Sequence, residues 1–267
     1  MASVTDERAA VAHRFLDARR TATALASYPG ELPSRLEDAY AIQDRAIAES
    51  ARSVLGWKVG RIGEPFFQQH KVARLAGPIF DVTTIGGDEA PAMPVFAGGF
   101  AAAEAEFLLR IGQAPAEGQT KFTLHEAADL IDAVHVGIEV ASSPLGSIND
   151  LGPVAIISDF GNNNGLLVGP AIPDWQNSGF QDWRVGTRID GSDVGTGRAA
   201  DFPDGALGSA RFLLELLAAR GIALRAGQWI SSGAVTGVHK ARPGNHVEAR
   251  FTDDMVVRCS LKAAQGQ

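Results

Sequence analysis

Three glutamates interrupt two otherwise apolar stretches of this chain, and together they could hold a metal ion. Glu104 and Glu106 lie in FAAAEAEFLLRI, residues 100–111, and Glu139 lies in VHVGIEVA, residues 134–141. A buried carboxylate must take up a proton or find a cation, and three carboxylates close together resist joint ionisation. Oxygen-only ligands favour Mg²⁺, Mn²⁺ or Ca²⁺ over zinc. The three glutamates are therefore candidate ligands of one divalent cation.

A shared ion requires residues 100–111 to form a β-strand. In a strand Glu104 and Glu106 point to the same face, whereas in a helix they would lie about 200° apart around the axis. Ala, Glu and Leu favour a helix intrinsically, so local propensity opposes the strand. Glycines on both sides keep the segment short, and this favours the strand. We therefore predict a strand that carries both carboxylates on one face.

Glu139 is predicted to lie on a second strand, over residues 134–141. Alternation places His135, Gly137 and Glu139 on one face and the valine and isoleucine side chains on the other. Gly137 is small and is expected to leave space beside the carboxylate. His135 is a candidate substrate contact because it shares the face of Glu139. The alternative for Glu139 is an ordinary strand carboxylate in a salt bridge.

Lys58 is the candidate acid–base group. It lies in GWKVG, residues 56–60, which predicts a short strand bounded by glycines. Between Trp57 and Val59 the lysine side chain would be desolvated, so its pKa should fall unless a carboxylate pairs with it. Asp81 could provide that partner or activate a water molecule. The alternative for Lys58 is a lysine at a strand end in an ordinary salt bridge.

The composition indicates a globular protein without affinity for nucleic acid or membranes. The chain has 267 residues, of which 45% are hydrophobic and 21% are charged, and its net charge is −7. No polybasic region suggests an anionic partner, and no run approaches the ~18 apolar residues of a membrane span. The N-terminus lacks the apolar segment of a secretory signal, which predicts a cytoplasmic protein. The single cysteine, Cys259, excludes an internal disulfide and a multi-cysteine zinc site.

The order of the predicted elements indicates an α+β fold. Helices are predicted over residues 6–20, 36–52, 64–74, 123–132 and 205–220, and strands near 228–232, 246–252 and 255–261. The regular alternation of a doubly wound fold is missing. We therefore expect a small helical N-terminal region, residues 1–80, packed on a mixed, mostly antiparallel β core, residues 81–267.

Local signals mark several ends of these elements. Ser34 and Thr123 are each followed three residues later by a glutamate, which is the spacing of a capping box. Asp190-Gly191 is a favoured two-residue turn and predicts a β-hairpin. Gly221 is the usual left-handed end of a helix.

Several motifs occur in an order that resembles a known enzyme family. They are GWKVG (56–60), GPIFDV (77–82), EAE (104–106), GIEV (137–140), ISDFGNNNGLLVG (157–169), AGQWISSGAVTG (226–237) and PGNHVEARF (243–251). Their order resembles the 2-keto-4-pentenoate hydratase / 2-oxohepta-3-ene-1,7-dioate hydratase family, a branch of the fumarylacetoacetate hydrolase superfamily. The resemblance extends over residues 35–262, nearly the whole chain.

This resemblance implies a fold, a metal site and a reaction. It matches Glu104, Glu106 and Glu139 to ligands of Mg²⁺ or Mn²⁺, Lys58 to an active-site lysine and Asp81 to an acidic residue of the site. The glutamate as third ligand points to the hydratase branch, because the hydrolase branch normally has an aspartate there. The resemblance thus implies a hydro-lyase that adds water to a 2-hydroxy-2,4-dienoate in aromatic catabolism. It also implies a fumarylacetoacetate-hydrolase-type fold, a small-molecule substrate and a homo-oligomer.

Two segments depart from the family pattern, so the native substrate can differ from those of known members. Residues 141–144 read Ala-Ser-Ser-Pro where the family often has Asp-Ser-Arg, and residues 158–162 replace the usual Ala-Asp-Asn-x-Ser segment. Both segments help to shape the substrate pocket of the family. Asp159 and Asn162 are therefore candidate substrate-binding residues.

Three other functions stay open at this point. A 2-oxo-enedioate decarboxylase of the 4-oxalocrotonate type would, by the same resemblance, use the same ligands and lysine. An acylpyruvate hydrolase would instead release a pair of acids. A non-catalytic partner subunit is a further alternative, although retention of the three glutamates and Lys58 argues against it.

Overall fold

The computed structural model describes residues 4–86 and 90–266, which form six helices and thirteen strands. The helices are α1 (Val4–Thr21), α2 (Leu36–Ser50), α3 (Phe66–His70), α4 (Leu124–Asp129), α5 (Pro153–Ser158) and α6 (Gly205–Ala219). The strands are β1 (Gly56–Arg61), β2 (Arg74–Ile79), β3 (Val82–Thr84), β4 (Ala92–Val95), β5 (Phe100–Ile111), β6 (Ile131–Ser143), β7 (Asn163–Ala171), β8 (Val185–Ile189), β9 (Ser192–Gly197), β10 (Trp229–Ser231), β11 (His239–Lys240), β12 (His246–Arg250) and β13 (Val256–Ala263).

Two mixed sheets form the β structure. The larger has the order β2-β1-β10-β5-β6-β7-β3, with β11 also paired to β5, and the smaller has the order β4-β13-β12-β8-β9. Strands β1 and β10, β3 and β7, and β4 and β13 are parallel, and the other neighbours are antiparallel. The predicted α+β fold with mixed, mostly antiparallel sheets is therefore confirmed.

Strand β5 forms from a segment whose residues favour a helix. It pairs with β6 over its whole length, from Phe100 opposite Ser143 to Ile111 opposite Ile131. One face of β5 places Phe107 in the main core, where its ring meets Phe180 edge-to-face at a centroid distance of 4.9 Å. Burial and strand pairing thus outweigh the helical propensity of the segment. The prediction of a strand is confirmed.

The main hydrophobic core holds the β5–β6 hairpin from one side. It contains side chains of both sheets and of α6, among them Val136, Leu213 and Val257. The opposite face of the hairpin is covered by smaller apolar clusters, which include Ala102 with Ala141 and Leu108 with Leu166. The glutamates lie on this second face, between those clusters.

The predicted ends of the elements were partly right. Thr123 caps α4 in a capping box with Glu126, and the hairpin over Asp190-Gly191 connects β8 to β9. The capping box predicted at Ser34 is wrong, because α2 begins at Leu36 and Arg35 occupies the cap position without a side-chain bond. The short helix predicted over residues 64–74 covers only α3, because β2 begins at Arg74.

The predicted division of the chain at residue 80 stays a prediction. Strands β1 and β2 lie before this point, yet both belong to the larger sheet. Lys58, on β1, is therefore positioned by the same sheet as the three glutamates. None of the helices in the described parts of the chain has both the length and the apolar character needed to cross a bilayer.

Candidate metal centre and active site

Strands β5 and β6 bring the three glutamates together. Glu104 lies directly opposite Glu139 in the antiparallel pair, and Glu106 lies opposite Gly137. One carboxylate oxygen of each glutamate lies within 4.8 Å of those of the other two. Glu106 and Glu139 are fully buried, and Glu104 is 4% exposed. Alternation along each strand and the register between the strands thus place three acidic groups at one point.

Gly137 does not leave open space beside Glu139, contrary to the expectation. A Cβ atom at Gly137 would lie 2.2 Å from Leu108 Cδ1 and 2.5 Å from the carbonyl oxygen of Leu167. The leucine side chain therefore fills the position next to the glutamates. The glycine allows close packing there, and the accessible side of the cluster lies elsewhere.

Glu106 and Glu139 each have one bonded and one unbonded oxygen. Ser231 Oγ and the backbone N–H of Gly233 donate to Glu106 Oε2 at 2.5 and 2.8 Å. The side-chain amide of Asn163 donates to Glu139 Oε1 at 3.0 Å. In the described parts of the chain, Glu106 Oε1 and Glu139 Oε2 are buried and accept no hydrogen bond, although the ammonium group of Lys58 lies 3.4 Å from Glu139 Oε2. Buried polar atoms are rarely left unpaired in proteins, so these two oxygens suit coordination of a cation.

Lys58 reaches the cluster from β1. Its Nζ lies 3.4 Å from Glu139 Oε2, and the residue is 4% exposed. Burial disfavours the ammonium charge, but the three carboxylates, Glu139 most strongly, outweigh burial and raise the pKa of Lys58 above its usual value. The sequence predicted that the pKa of Lys58 would fall unless a carboxylate paired with the lysine, and Glu139 is such a partner.

The net charge of the cluster suits a divalent cation. Burial raises the pKa of Glu104 to about 7, although Lys58 lowers it. Burial and repulsion from the other two carboxylates raise the pKa of Glu106 well above its usual value. Three ionised carboxylates and one ammonium group carry a net charge of −2 (−3 + 1), which a divalent cation would neutralise. The oxygen donors and the charge thus fit Mg²⁺ or Mn²⁺.

We expect the metal-free protein to lose stability as the pH rises. The folded-state pKa of Glu104 is raised from 4.5 to about 7, so the folded protein binds more protons than the unfolded chain between these values. Stability then falls as the pH passes from about 5 to about 8. Urea unfolding in the presence of EDTA at both ends of this range measures the fall. Glu104→Gln should reduce this fall in stability. A pH dependence equal to that of wild type in this variant would contradict the assignment of the fall to Glu104. Glu117→Gln, on an exposed loop, is the control.

A cavity of about 550 Å³ opens beside the cluster and reaches Lys58 and Glu104. Its polar end also contains the buried Asn162 and the half-buried Asn149. Apolar side chains line much of the remaining wall, including Ile62, Phe66, Leu75, Ile156, Phe202 and Val235. A small molecule in this cavity would therefore meet polar groups at one end and hydrocarbon along its length.

Two arginines line the solvent-exposed side of the same cavity. Arg61 and Arg74 lie opposite each other on β1 and β2. The Arg61 guanidinium stacks 5.3 Å from the centroid of Phe202, and Arg74 donates to the carbonyl oxygen of Pro203 at 2.5 Å. In the described parts of the chain neither arginine forms an ion pair within 4.0 Å. Glu64 also lines the cavity, so two arginines and one glutamate carry the charge on this side.

A left-handed turn places Asn162 at the polar end of the cavity. Phe160, Gly161 and Asn162 have positive φ angles of 57°, 66° and 55°, which is a strained conformation for the two residues that are not glycine. A Cβ atom at Gly161 would lie 2.9 Å from Lys58 Cδ, so the turn packs closely on the lysine. Asn162 Nδ2 donates to Asn149 Oδ1 at 3.1 Å, while Asn162 Oδ1 is buried without a partner. This free acceptor suits a hydroxyl group or a water molecule.

Asp81 lies away from the glutamates. Its side chain is 64% exposed, and both of its carboxylate oxygens lie 2.7 Å from Arg52 Nη2. It lines a second cavity, of about 720 Å³, which also contacts α1 and α2. Because β2 ends at Ile79, two residues before Asp81, the chain leaves the sheet before the carboxylate. The structure therefore does not bring Asp81 to Lys58 or to the first cavity.

Asp159 and His135 also lie outside the lining of the first cavity. The Asp159 carboxylate is fully buried and accepts bonds from Arg19 at 2.5 and 3.0 Å. His135 Nδ1 lies 2.8 Å from the carbonyl oxygen of Gly169, and its ring packs edge-to-face on Trp229. Both side chains are thus occupied by partners within the protein.

Sequence reasoning missed several residues that surround the carboxylates. Ser231 and Gly233 lie in the motif AGQWISSGAVTG, and Asn163 lies in the run GNNNG, so a signal was present for these three. Arg19 gave no signal, because it is one of several arginines of α1 and only the fold shows that it points inward. Asn149 also gave no signal, because only the fold brings it next to Asn162.

No protein-family model matches the chain, and no curated protein matches it. Several solved structures, however, match the chain. Two structures of 4-oxalocrotonate decarboxylase from Pseudomonas putida G7, one with calcium and acetate and one with magnesium and adipate, have TM-scores of 0.80 and 0.81 and identities of 19% and 18%. Both matches cover 97% of this chain and 99% of the other. Fumarylpyruvate hydrolase from Pseudomonas aeruginosa with Mn²⁺ and pyruvate has a TM-score of 0.58 at 14% identity, covering 78% and 89% of the two chains.

These similar structures are members of the fumarylacetoacetate hydrolase superfamily, and metal ions accompany three of them. At such low identity the similarity concerns the fold. The chain therefore has the α+β fold of the fumarylacetoacetate hydrolase superfamily.

Proposed function

We propose that the chain is a divalent-metal-dependent lyase that acts on an unsaturated 2-oxo acid or its 2-hydroxy-dienoate tautomer. The observation that carries this proposal is the cluster of Glu104, Glu106 and Glu139, with Lys58 in contact, beside a cavity that Lys58 and Glu104 line. The three glutamates would hold Mg²⁺ or Mn²⁺. When bound, the cation would supply Lewis-acid polarisation of the substrate's 2-oxygen.

The residues around the cluster can position a substrate and move a proton. In the metal-free chain Lys58 keeps its proton because the three carboxylates stabilise the ammonium form. It can therefore donate to an oxygen of the substrate on which negative charge develops. Asn162 Oδ1 offers a fixed acceptor on the same side of the cavity. The apolar walls exclude water from the carbon chain of the substrate.

Decarboxylation of a 2-oxo-enedioate fits this cavity best among the reactions considered. The bond between the distal carboxylate carbon and the neighbouring carbon of the chain breaks, and CO₂ leaves. The electron pair of this bond passes through the conjugated chain to the 2-oxygen. That oxygen takes a proton, for which Lys58 is the candidate donor, and a 2-hydroxy-dienoate results. No activated water is needed, which agrees with the position of Asp81 in the other cavity.

Two further features support a dicarboxylate substrate. Arg61 and Arg74 outnumber Glu64 on the exposed side of the cavity, and this excess of positive charge favours a dianion. The apolar side chains that line much of the cavity disfavour a carboxylate relative to neutral CO₂. The similarity over almost the whole chain to 4-oxalocrotonate decarboxylase supports the same choice.

Hydration of a 2-hydroxy-2,4-dienoate is the second candidate. The order of the sequence motifs and the glutamate as third ligand favour it, and Asn162 could accept a hydrogen bond from the attacking water. Acylpyruvate hydrolysis is the reaction of a more distant structure, the fumarylpyruvate hydrolase. A role in aromatic catabolism, a cytoplasmic location and a homo-oligomeric state are part of the proposal through the resemblance.

A substrate panel separates these reactions. The chain, supplied with Mg²⁺, is incubated with 2-oxohex-3-enedioate, 2-hydroxypenta-2,4-dienoate and an acylpyruvate, while CO₂ release and dienoate absorbance are recorded. We expect the enedioate to give both CO₂ release and accumulation of dienoate. Neither signal should appear in EDTA. Consumption of dienoate without CO₂ would instead show a hydratase, and acid pairs would show a hydrolase. No turnover of any substrate would contradict an enzymatic role and favour a partner subunit.

A further inference from the structure

We propose that Arg19, at the end of the N-terminal helix α1, is a positioning residue for the metal centre that acts through Asn163 on Glu139. This inference rests on the proposed role of Glu139 as a metal ligand. It gives the N-terminal helix a part in setting the geometry of a site to which it contributes no ligand.

Arg19 is anchored on a buried acid. Its guanidinium donates to both carboxylate oxygens of Asp159, from Nε at 2.5 Å and from Nη2 at 3.0 Å. The group lies between two aromatic rings, 5.5 Å from the centroid of Phe96 and 5.3 Å from that of Phe160. The Arg19 side chain is 13% exposed and that of Asp159 is fully buried. A planar guanidinium with several fixed partners holds a single orientation.

The remaining donors of Arg19 hold the ends of two strands. Nη1 donates to the carbonyl oxygen of Asn163 at 3.1 Å and to Asn164 Oδ1 at 3.2 Å, and Nη2 donates to the carbonyl oxygen of Ser142 at 3.1 Å. Regular pairing of β6 with β7 ends nearby, at Ala141 opposite Asn163. The arginine therefore joins β6 and β7 where their own hydrogen-bond ladder stops.

Asn163 transmits this constraint to Glu139. Its side-chain amide donates to Glu139 Oε1 at 3.0 Å, and its backbone is the part that Arg19 holds. With Oε1 occupied, Oε2 is directed toward Lys58 and the other glutamates. The β6–β7 register shifts between Glu139 and Ala141, so pairing with β6 alone does not fix the backbone of β7 at Asn163, although β5 pairs regularly with β6 at Glu139. Arg19 and Asn163 supply the missing restraint.

Removal of this restraint should weaken metal binding. Without Arg19, Asp159 becomes a buried charge without its partner, and the start of β7 is no longer fixed. Loss of groups that orient metal ligands typically lowers metal affinity 10- to 100-fold. The coupling is reciprocal, so a bound ion must also strengthen the attachment of α1.

The first test is Mn²⁺ titration of the full chain without substrate. We expect Arg19→Gln to weaken Mn²⁺ binding roughly 10- to 100-fold. The matched control is Arg20→Gln, since Arg20 is exposed and pairs with Asp17 of the same helix; it should bind Mn²⁺ as wild type does. Asn163→Leu should weaken binding similarly, and the double variant should lose little more, because both act on Glu139. Wild-type affinity in folded Arg19→Gln would overturn the proposal.

The second test does not require Arg19→Gln to fold. Hydrogen exchange of α1 is measured in wild type and in Asn163→Leu, with and without Mn²⁺, and α6 serves as the reference helix. We expect Mn²⁺ to slow exchange in the last turn of α1 more than in α6, and this difference to vanish in Asn163→Leu. If Mn²⁺ slows hydrogen exchange equally in α1 and α6 of wild type, Arg19 has only a structural role. If wild type binds no Mn²⁺ at all, the proposed metal site fails instead.

Discussion

Replacement of Glu106 by glutamine is expected to abolish turnover and yet to make the metal-free protein more stable. Glutamine keeps an oxygen for the bonds from Ser231 and Gly233, but it removes a carboxyl group whose ionisation is opposed by burial and by the two other carboxylates. Relief of this repulsion should raise the Tm in EDTA by roughly 2–4 °C for each kcal/mol gained. Loss of a ligand should lower kcat/KM by more than about 100-fold, since loss of an outer partner alone costs up to that factor.

Thermal unfolding in EDTA and in Mg²⁺, together with the assay of CO₂ release, measures both effects. Glu117→Gln, which removes a carboxylate from an exposed loop, controls for the change in net charge. Glu106→Gln should gain stability without metal and should lose the stabilisation that Mg²⁺ gives wild type. A variant that keeps most of its activity, or that is less stable than wild type in EDTA, would contradict the role of Glu106.

Replacement of Lys58 by methionine is expected to remove catalysis while metal binding persists. Methionine has a similar length and no charge, so it fills the position between Trp57 and Val59 without donating a proton. Loss of a general acid typically lowers kcat 10²- to 10⁴-fold. Removal of the ammonium 3.4 Å from Glu139 leaves a more negative site, so Mn²⁺ should bind at least as tightly as in wild type.

Measurement of kcat and of the Mn²⁺ dissociation constant on the same preparation separates the two roles. Lys71→Met is the control, because Lys71 is exposed just after α3 and its ammonium group donates to Gln68 rather than to the site. Wild-type turnover in Lys58→Met would exclude proton donation by Lys58. Loss of Mn²⁺ binding together with activity would assign the lysine a structural role.

The position of the three glutamates could be predicted from the sequence because strand alternation is strictly local. Once residues 100–111 form a strand, Glu104 and Glu106 must share a face, and the same holds for Glu139 on its own strand. The register that sets Glu104 opposite Glu139 is a tertiary property, and no local pattern determines it. The ordered motifs supplied this step through a resemblance.

The predictions for the surrounding residues met the limits of local reasoning. Asp81 is only two residues beyond β2, yet the chain leaves the sheet there and the carboxylate pairs with Arg52, which follows the end of α2. Asp159 is buried as expected of a site residue, but Arg19, 140 residues away, occupies its carboxylate. Which distant side chain satisfies a buried charge depends on how the helices dock, and a pattern along the chain carries no information about that.

Titration of the metal-free wild-type chain with Mn²⁺ tests the central claim most directly. Electron paramagnetic resonance of the free ion counts the sites, and the same titration is repeated with Glu106→Gln and Glu139→Gln. The three carboxylates predict one saturable Mn²⁺ site for each chain, which is lost or strongly weakened in both variants. A chain that binds no Mn²⁺, or variants that bind it as wild type does, would contradict the assignment of these glutamates as a metal centre.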